Sequence, residues 1–418
     1  MDKLIIRGGT PLRGDVTVNA AKNATLPIIA ASLLAEGPTV LADTPKLQDV
    51  TTVCSVIEGL GAEVTHGPNG DLTIEADRIR SHEAPFQPAR QIRASFLVMG
   101  PLLARLGRAK MALPGGCAIG TRPIDLHIRG FAALGAQVAL VHGYVEARAP
   151  RLVGNRVYLD YPSVGATENV MMAAALADGT TIIENAAEEP EVADLAHFIN
   201  AMGGKITGIG TRVLVIQGVK RLKGVSYRVV SDRIEAGTLM VAAAITGGDV
   251  TVRKVKPAYL KAVVAKLREA GVQIEEGRDR IRVSCNGRPR PVNIKTLPYP
   301  GFPTDMQPQI MAFLSCAQGT SVVIETVFEN RFMHVPELNR MGAQISTQGS
   351  VAVIRGVEKL WGTSVRVTDL RAGASLILAA LAAEGTSELY GVKHIDRGYV
   401  NIESRLAEMG ADIRREAE

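Results

Sequence analysis

The sequence predicts an α/β protein of two domains, assembled from six copies of one β/α unit. An Ala-rich apolar run that ends in glycine and leads into β-branched residues occurs six times in 418 residues. A second short marker, Leu, Met or Ala followed by Gly and then a strand-like stretch, trails each copy. The chain is also too long for one hydrophobic core, because cores stop growing at about 250–300 residues.

The runs are AASLLAEG from Ala30, MGPLLARLG from Met99, MAAALADG from Met172, MVAAAITG from Met240, MAFLSCAQG from Met311 and ILAALAAEG from Ile377. They end at Gly37, Gly107, Gly179, Gly247, Gly319 and Gly385, spaced 66 to 72 residues apart. Glycine beyond an apolar run is a left-handed helix stop, and the β-branched residues that follow suit a strand. The second marker reads LGAEV at Leu60, LGAQV at Leu134, MGGKI at Met202, AGVQI at Ala270, MGAQI at Met341 and MGADI at Met409. Each closes an amphipathic stretch such as residues 259–270, where Leu, Val and Ala recur at helical spacing. Every unit therefore reads helix–strand–helix–strand. One unit alone cannot cover its helices, so the units must pack together, and six divide into two groups of three.

Composition narrows the function. The chain is 46% hydrophobic but only 4% aromatic, so its cores are aliphatic. Its 47 basic and 42 acidic residues leave a charge of +5. The basic stretches 220–223 and 288–295 are short, interrupted and without stacking aromatics, so no nucleic-acid partner is expected. A pocket for a small anion is compatible with this charge. Cys54, Cys117, Cys285 and Cys316 form no CxxC pair, which suggests reduced thiols in a cytosol. No apolar signal core opens the chain, and the apolar runs fall short of the ~20 residues that cross a bilayer. A cytoplasmic protein without membrane insertion is expected. HExxH and P-loop patterns are absent, so neither metal nor cofactor is expected.

Fourteen residues before the run-ending glycines stand Asn23, Arg93, Gly165, Arg233, Asp305 and Arg371. Fourteen residues make about four helical turns, so these lie near the starts of the six helices. Helix starts carry free N–H groups and a positive pole, a natural seat for anions. Taken singly, Asn23 and Asp305 also read as ordinary caps, with Thr304-Asp305-Met306-Gln307 as a capping box. Arg93, Arg233 and Arg371 argue for an anion, because a cation there is unfavourable by up to about 1 kcal/mol. Separately, residues 113–127 place Cys117 among Pro114, Gly115, Gly116 and Gly120, with Arg122 nearby. A mobile loop beside a guanidinium is a setting that activates a thiol.

On longer motifs the chain resembles the UDP-N-acetylglucosamine 1-carboxyvinyltransferase family. The matching segments include AAKNATLP at Ala20, PGGCAIGTRPIDLH at Pro114, SVGATENVMMAAALADGTTIIENAAEEPEV at Ser163 and SDRIEAGT at Ser231. Others are PGFPTDMQPQ at Pro300, ETVFENRFMHVPELNRMGA at Glu325, DLRAGASL at Asp369 and HIDRGY at His394, so the resemblance runs end to end. It implies an inside-out α/β barrel of two domains, three units each, with helices inside and sheets outside. One domain would span 1–21 plus 231–418 and carry Asp305, Arg331, Arg371 and Arg397. The other would span 22–230 and carry the Cys117 loop as a lid.

The resemblance also implies a reaction: transfer of the enolpyruvyl group of phosphoenolpyruvate to the 3-hydroxyl of UDP-N-acetylglucosamine, with release of phosphate, the first committed step of peptidoglycan precursor synthesis. Cys117 matches the general acid and the target of the epoxide fosfomycin, and Asp305 the base. Lys22, Arg122 and Arg397 match groups that hold phosphoenolpyruvate, Lys22 and Arg397 being counted as catalytic too, and Asn23, Arg331, Arg371 and Cys117 are assigned with them. Contacts to the nucleotide sugar would come from Asn23, Arg93, Arg122, Pro123, Ile124, Asp125, Leu126, Tyr161, Pro162, Ser163, Val164, Gly165, Asp305 and the Val327 backbone. The pair Tyr161-Pro162 departs from the more usual charged or small residues there. Two alternatives remain: the sister 3-phosphoshikimate 1-carboxyvinyltransferase, which lacks the cysteine loop, and a non-catalytic nucleic-acid-binding repeat protein.

Overall fold

The Ala-rich runs form the helices Lys22–Ala31, Met99–Leu106, Val164–Ala174, Arg233–Ile245, Gln307–Leu314 and Leu370–Ala382. Two of them are entered through 3₁₀ turns, Arg93–Val98 and Thr304–Met306. This computed structural model describes residues 2–68, 70–113, 119–120 and 123–417. All twelve marker glycines take positive φ, between 65° and 139°. A Cβ would oppose that conformation, which is why glycine recurs at the stops.

The chain divides into two compact units. Unit 1 comprises residues up to Asn19, Cys117–Thr121 and Ser231–Glu418; unit 2 comprises Ala20–Gly116 and Arg122–Val230. Unit 1 holds three four-stranded sheets around the helices Arg233–Ile245, Gln307–Leu314 and Leu370–Ala382. These helices are buried on every face, from Ile234 to Ala244, Gln307 to Leu314 and Arg371 to Leu381. A helix apolar all round belongs in an interior. The strands instead alternate, as in Asp249–Arg253, where Val250 and Val252 are buried and Arg253 is exposed. One face of each sheet thus packs on the helices while the other meets water, so the helices lie inside and the sheets outside.

The strand Asp2–Arg7 lies between Thr386–Tyr390 and Asp412–Ala417, antiparallel to both. The next, Arg13–Thr17, runs parallel to Asp249–Arg253. Two sheets of unit 1 are thereby completed from the opposite end of the chain.

In unit 2 the helices Lys22–Ala31, Met99–Leu106 and Val164–Ala174 take the central place, with two four-stranded sheets, a two-stranded pairing and the three-stranded sheet of Arg108–Ala112, Tyr144–Arg148 and Gln137–Val141. The core is aliphatic, as the composition predicts: its few buried aromatics include Phe131 and Phe198. No helix among the described residues is long and apolar enough to cross a membrane.

Candidate active site

The three central helices of unit 1 bring their starts together. Asp305, in the 3₁₀ turn that opens the second, accepts a 2.8 Å bond on each carboxylate oxygen, from Nη2 of Arg331 and from Nη2 of Arg371. Both guanidiniums are buried, and the Asp305 side chain keeps about a quarter of its surface exposed. Burial works against the charge on Arg371, but the carboxylate of Asp305, with Tyr399 and Asp232, outweighs it and raises the guanidinium's pKa above the ordinary arginine value. Because Asp232 opens the helix Arg233–Ile245 and Arg371 the helix Leu370–Ala382, all three starts lie within electrostatic reach of one another.

The expected capping box at 304–307 does not form. No side chain caps this turn; the Thr304 hydroxyl instead donates to Glu325 Oε2 at 2.9 Å. Glu325 also accepts from Thr296 Oγ1 and from the backbone N–H groups of Val327 and Phe328, so one buried carboxylate shapes the strand end that leads to Arg331. True caps stand at the neighbouring starts, where Asp232 accepts from the N–H groups of Ile234 and Glu235, and Asp369 from those of Arg371 and Ala372. The unfavourable arginines at these two starts are therefore offset partly by aspartates beside them.

Arg397 is half-buried, shortly after the 3₁₀ turn Val392–His394. Buried His334 has its pKa lowered to about 4, by burial first, and stays neutral at physiological pH. Also in unit 1, the N–H of Asn330 donates to the carbonyl of Ile119 at 3.0 Å.

In unit 2, Lys22 begins the helix Lys22–Ala31 and its Nζ lies 3.2 Å from Oδ2 of the buried Asp49; Asn23 is exposed on the same first turn. Arg93 begins its 3₁₀ turn and donates from Nη2 to the carbonyl of Pro123 at 3.3 Å. Ile124 precedes the helix Asp125–Ala133, which Asp125 and Leu126 open. Ser163 caps Val164–Ala174, accepting from the N–H of Ala166, and Gly165 lies in its first turn. Tyr161 is exposed and Pro162 half-buried just before it. Cys117 and Arg122 lie outside the described residues.

A buried imidazole ties two of these starts together. Nδ1 of His127 accepts from Nδ2 of Asn169 at 3.1 Å, while Asn169 Oδ1 accepts from the N–H of Gly100. A Cβ on Gly165 would stand 3.3 Å from Cε1 of His127, so glycine admits the ring. Burial, then the charge of Arg93, lowers the His127 pKa to about 3 and keeps it neutral.

Across residues 6–406 the chain matches the family described as EPSP synthase (3-phosphoshikimate 1-carboxyvinyltransferase). It is 56% identical over 413 residues to UDP-N-acetylglucosamine 1-carboxyvinyltransferase 1 of Caldanaerobacter subterraneus, covering 99% of each chain. The chain belongs to the EPSP synthase family, in its UDP-N-acetylglucosamine 1-carboxyvinyltransferase branch. A second member of that branch, UDP-N-acetylglucosamine 1-carboxyvinyltransferase 2 of Carboxydothermus hydrogenoformans, is 56% identical over 417 residues, again covering 99% of each. The enolpyruvyl transferase NikO of Streptomyces tendae shares the fold with a TM-score of 0.90 at 25% identity, covering 100% of this chain and 99% of that one. EPSP synthase of Acinetobacter baumannii, at 19% identity and full coverage of both chains, reaches a TM-score of 0.76 and supports the fold.

Three features of this enolpyruvyl transferase chain escaped the sequence reading. Tyr399 and Thr238 lie beneath Arg371, Glu325 builds the turn before Arg331, and Glu168 is buried in the helix Val164–Ala174. Burial, with the charges of Glu191 and Glu189 beside it, pushes the Glu168 carboxyl well above the usual glutamate value of 4.5. A raised folded-state pKa adds stability that is complete below the unfolded value and is lost as pH rises through the folded one. Glu168→Gln stays neutral at every pH. Its melting temperature should match the wild type near pH 4 and exceed it by several degrees at pH 8, as calorimetry at both values would show. An unchanged gap between the two would exclude this carboxyl as the cause.

Proposed function

We propose that this protein transfers the enolpyruvyl group of phosphoenolpyruvate to the 3-hydroxyl of UDP-N-acetylglucosamine and releases inorganic phosphate, in the cytoplasm. The observation that carries the reading is full-length identity of 54–56% to four proteins of that name. The chemistry of the helix starts is compatible with it.

In the reaction the methylene carbon of phosphoenolpyruvate gains a proton while the sugar oxygen bonds to C2 and loses its own. A proton then leaves the new methyl group, the C2–O bond to phosphate breaks, and the vinyl ether remains. Asp305 accepts the hydroxyl proton in this reading. Two guanidiniums hold its carboxylate at 2.8 Å each, so its contribution is above all one of positioning. The Cys117 thiol delivers the proton to carbon, and its thiolate is the nucleophile toward fosfomycin.

Lys22, Asn23, Arg122, Arg331, Arg371 and Arg397 hold phosphoenolpyruvate and offset the repulsion between two anionic substrates. Arg93, residues 122–126 and residues 161–165 serve the nucleotide sugar. The N–H of Val327 is committed to Glu325 at 2.8 Å, so the sugar contact assigned to its backbone falls to its carbonyl.

Phosphate release measured with phosphoenolpyruvate and either UDP-N-acetylglucosamine or shikimate 3-phosphate tests this assignment. Turnover is expected with the nucleotide sugar alone. Turnover with shikimate 3-phosphate in its place would move the chain to the sister activity.

A further inference from the structure

A polar layer crosses the aliphatic core of unit 1 just beneath Asp305. It comprises Thr238, Gln309, Arg371 and Tyr399, all buried, the first three from the three central helices. Its hydrogens follow from its partners. Thr238 Oγ1 lies 2.8 Å from the carbonyl of Ile234, which can only accept, so the threonine hydrogen goes there. The same oxygen then accepts from Gln309 Nε2 at 3.1 Å and from the Tyr399 hydroxyl at 2.9 Å. With its hydrogen committed to Thr238, the tyrosine oxygen turns its lone pairs to Arg371 and accepts from Nη1 at 3.1 Å.

Arg371 is thereby gripped on one edge by the core and presents the other, through Nη2, to Asp305. The second guanidinium on Asp305 lacks such an anchor: Nε of Arg331 is buried without a partner among the described residues, and the group stands over the Phe328 ring. We propose that Thr238 and Tyr399 are positioning residues, which fix the inner edge of the Arg371 guanidinium so that its outer edge stays aimed at Asp305 and at an anionic group of the substrate. The second half rests on the proposed function; the geometric half does not.

The test uses Thr238→Val, Thr238→Ser and Tyr399→Phe in the full chain. Valine keeps the shape of threonine but removes the acceptor that orients the tyrosine, whereas serine keeps it. Side-chain ¹⁵N NMR should show the Arg371 Nη hydrogens protected from exchange in the wild type and in Thr238→Ser, and averaged in the other two. The KM for phosphoenolpyruvate should rise about tenfold in Thr238→Val and Tyr399→Phe, the order expected for one hydrogen bond to a charged group. In the same variants kcat and the KM for the nucleotide sugar should stay within about twofold, with Thr238→Ser matching the wild type. If Thr238→Val does not fold, Tyr399→Phe against Thr238→Ser decides. Equal Arg371 signals in the valine and serine variants would overturn the positioning role. Averaged signals with an unchanged KM would overturn its link to substrate, and a wild type inactive with phosphoenolpyruvate would overturn the proposed function while leaving the NMR result to stand.

Discussion

Asp305→Ala is expected to lower kcat about a thousandfold, within the range typical of a lost general base. It should also lower the melting temperature. Arg331 and Arg371 are only 4% and 5% exposed, and both give a 2.8 Å bond to this one carboxylate. Removing one partner of a buried ion pair leaves charge unmatched in the interior, at a cost of about 3–5 kcal/mol. Asp305→Asn retains the shape and one accepting oxygen, so it should unfold between the two while losing as much activity. Added inorganic phosphate, an anion able to bridge two guanidiniums, should restore part of the melting temperature of Asp305→Ala without restoring kcat. The two losses thus separate: one is electrostatic and answers to any anion, the other is catalytic. A variant that keeps more than a tenth of wild-type kcat would remove Asp305 from the role of base.

Fosfomycin should inactivate the wild type through a single adduct on Cys117. The thiolate opens the epoxide by forming an S–C bond as the C–O bond breaks, and the released alkoxide takes a proton, so the protein gains the whole mass of the inhibitor. The other thiols are poor competitors. Burial pushes Cys54 up to about 12 and Cys316 up to about 11, and it raises Cys285 as well. Thiols held protonated in an apolar setting are weak nucleophiles. Cys117→Asp should escape inactivation and retain part of the turnover, because a carboxyl group can still deliver a proton but cannot form the thioether. Peptide mass mapping after incubation reads the first outcome and residual phosphate release the second. Full sensitivity of Cys117→Asp, or an adduct on Cys54, would contradict the assignment.

The repeat was legible in the sequence because it rests on local physics. A helix end that needs a left-handed residue calls for glycine each time, and all twelve such positions bear this out in their φ angles. Counting back from the glycines reached Asn23, Arg93, Gly165, Arg233, Asp305 and Arg371, each within the first two residues of the segment that opens its helix. What the spacing did not reveal was how these residues are paired. Thr304 is spaced to cap its own helix, yet its hydroxyl is drawn to Glu325, far along the chain. Arg331 belongs to no repeat marker, and no local pattern announces that it shares Asp305 with Arg371. Tyr399 reads in sequence as one more aromatic beside a turn; its role appears only once three helices converge on it. Periodicity reports which face of an element is buried, whereas partners between distant segments depend on the packing of the whole unit.

The strand Asp2–Arg7, sandwiched between Thr386–Tyr390 and Asp412–Ala417, bears on how the protein is made. A ribosome releases this strand nearly four hundred residues before its neighbours exist. Residues 20–230 can meanwhile collect almost all of their own contacts, while unit 1 must wait for residues 386–417 to emerge. Contacts so distant in sequence form slowly, and an unpaired apolar strand held in waiting is exposed to aggregation. Maturation should therefore be staggered, with unit 1 closing only once residues 386–417 are available to pair.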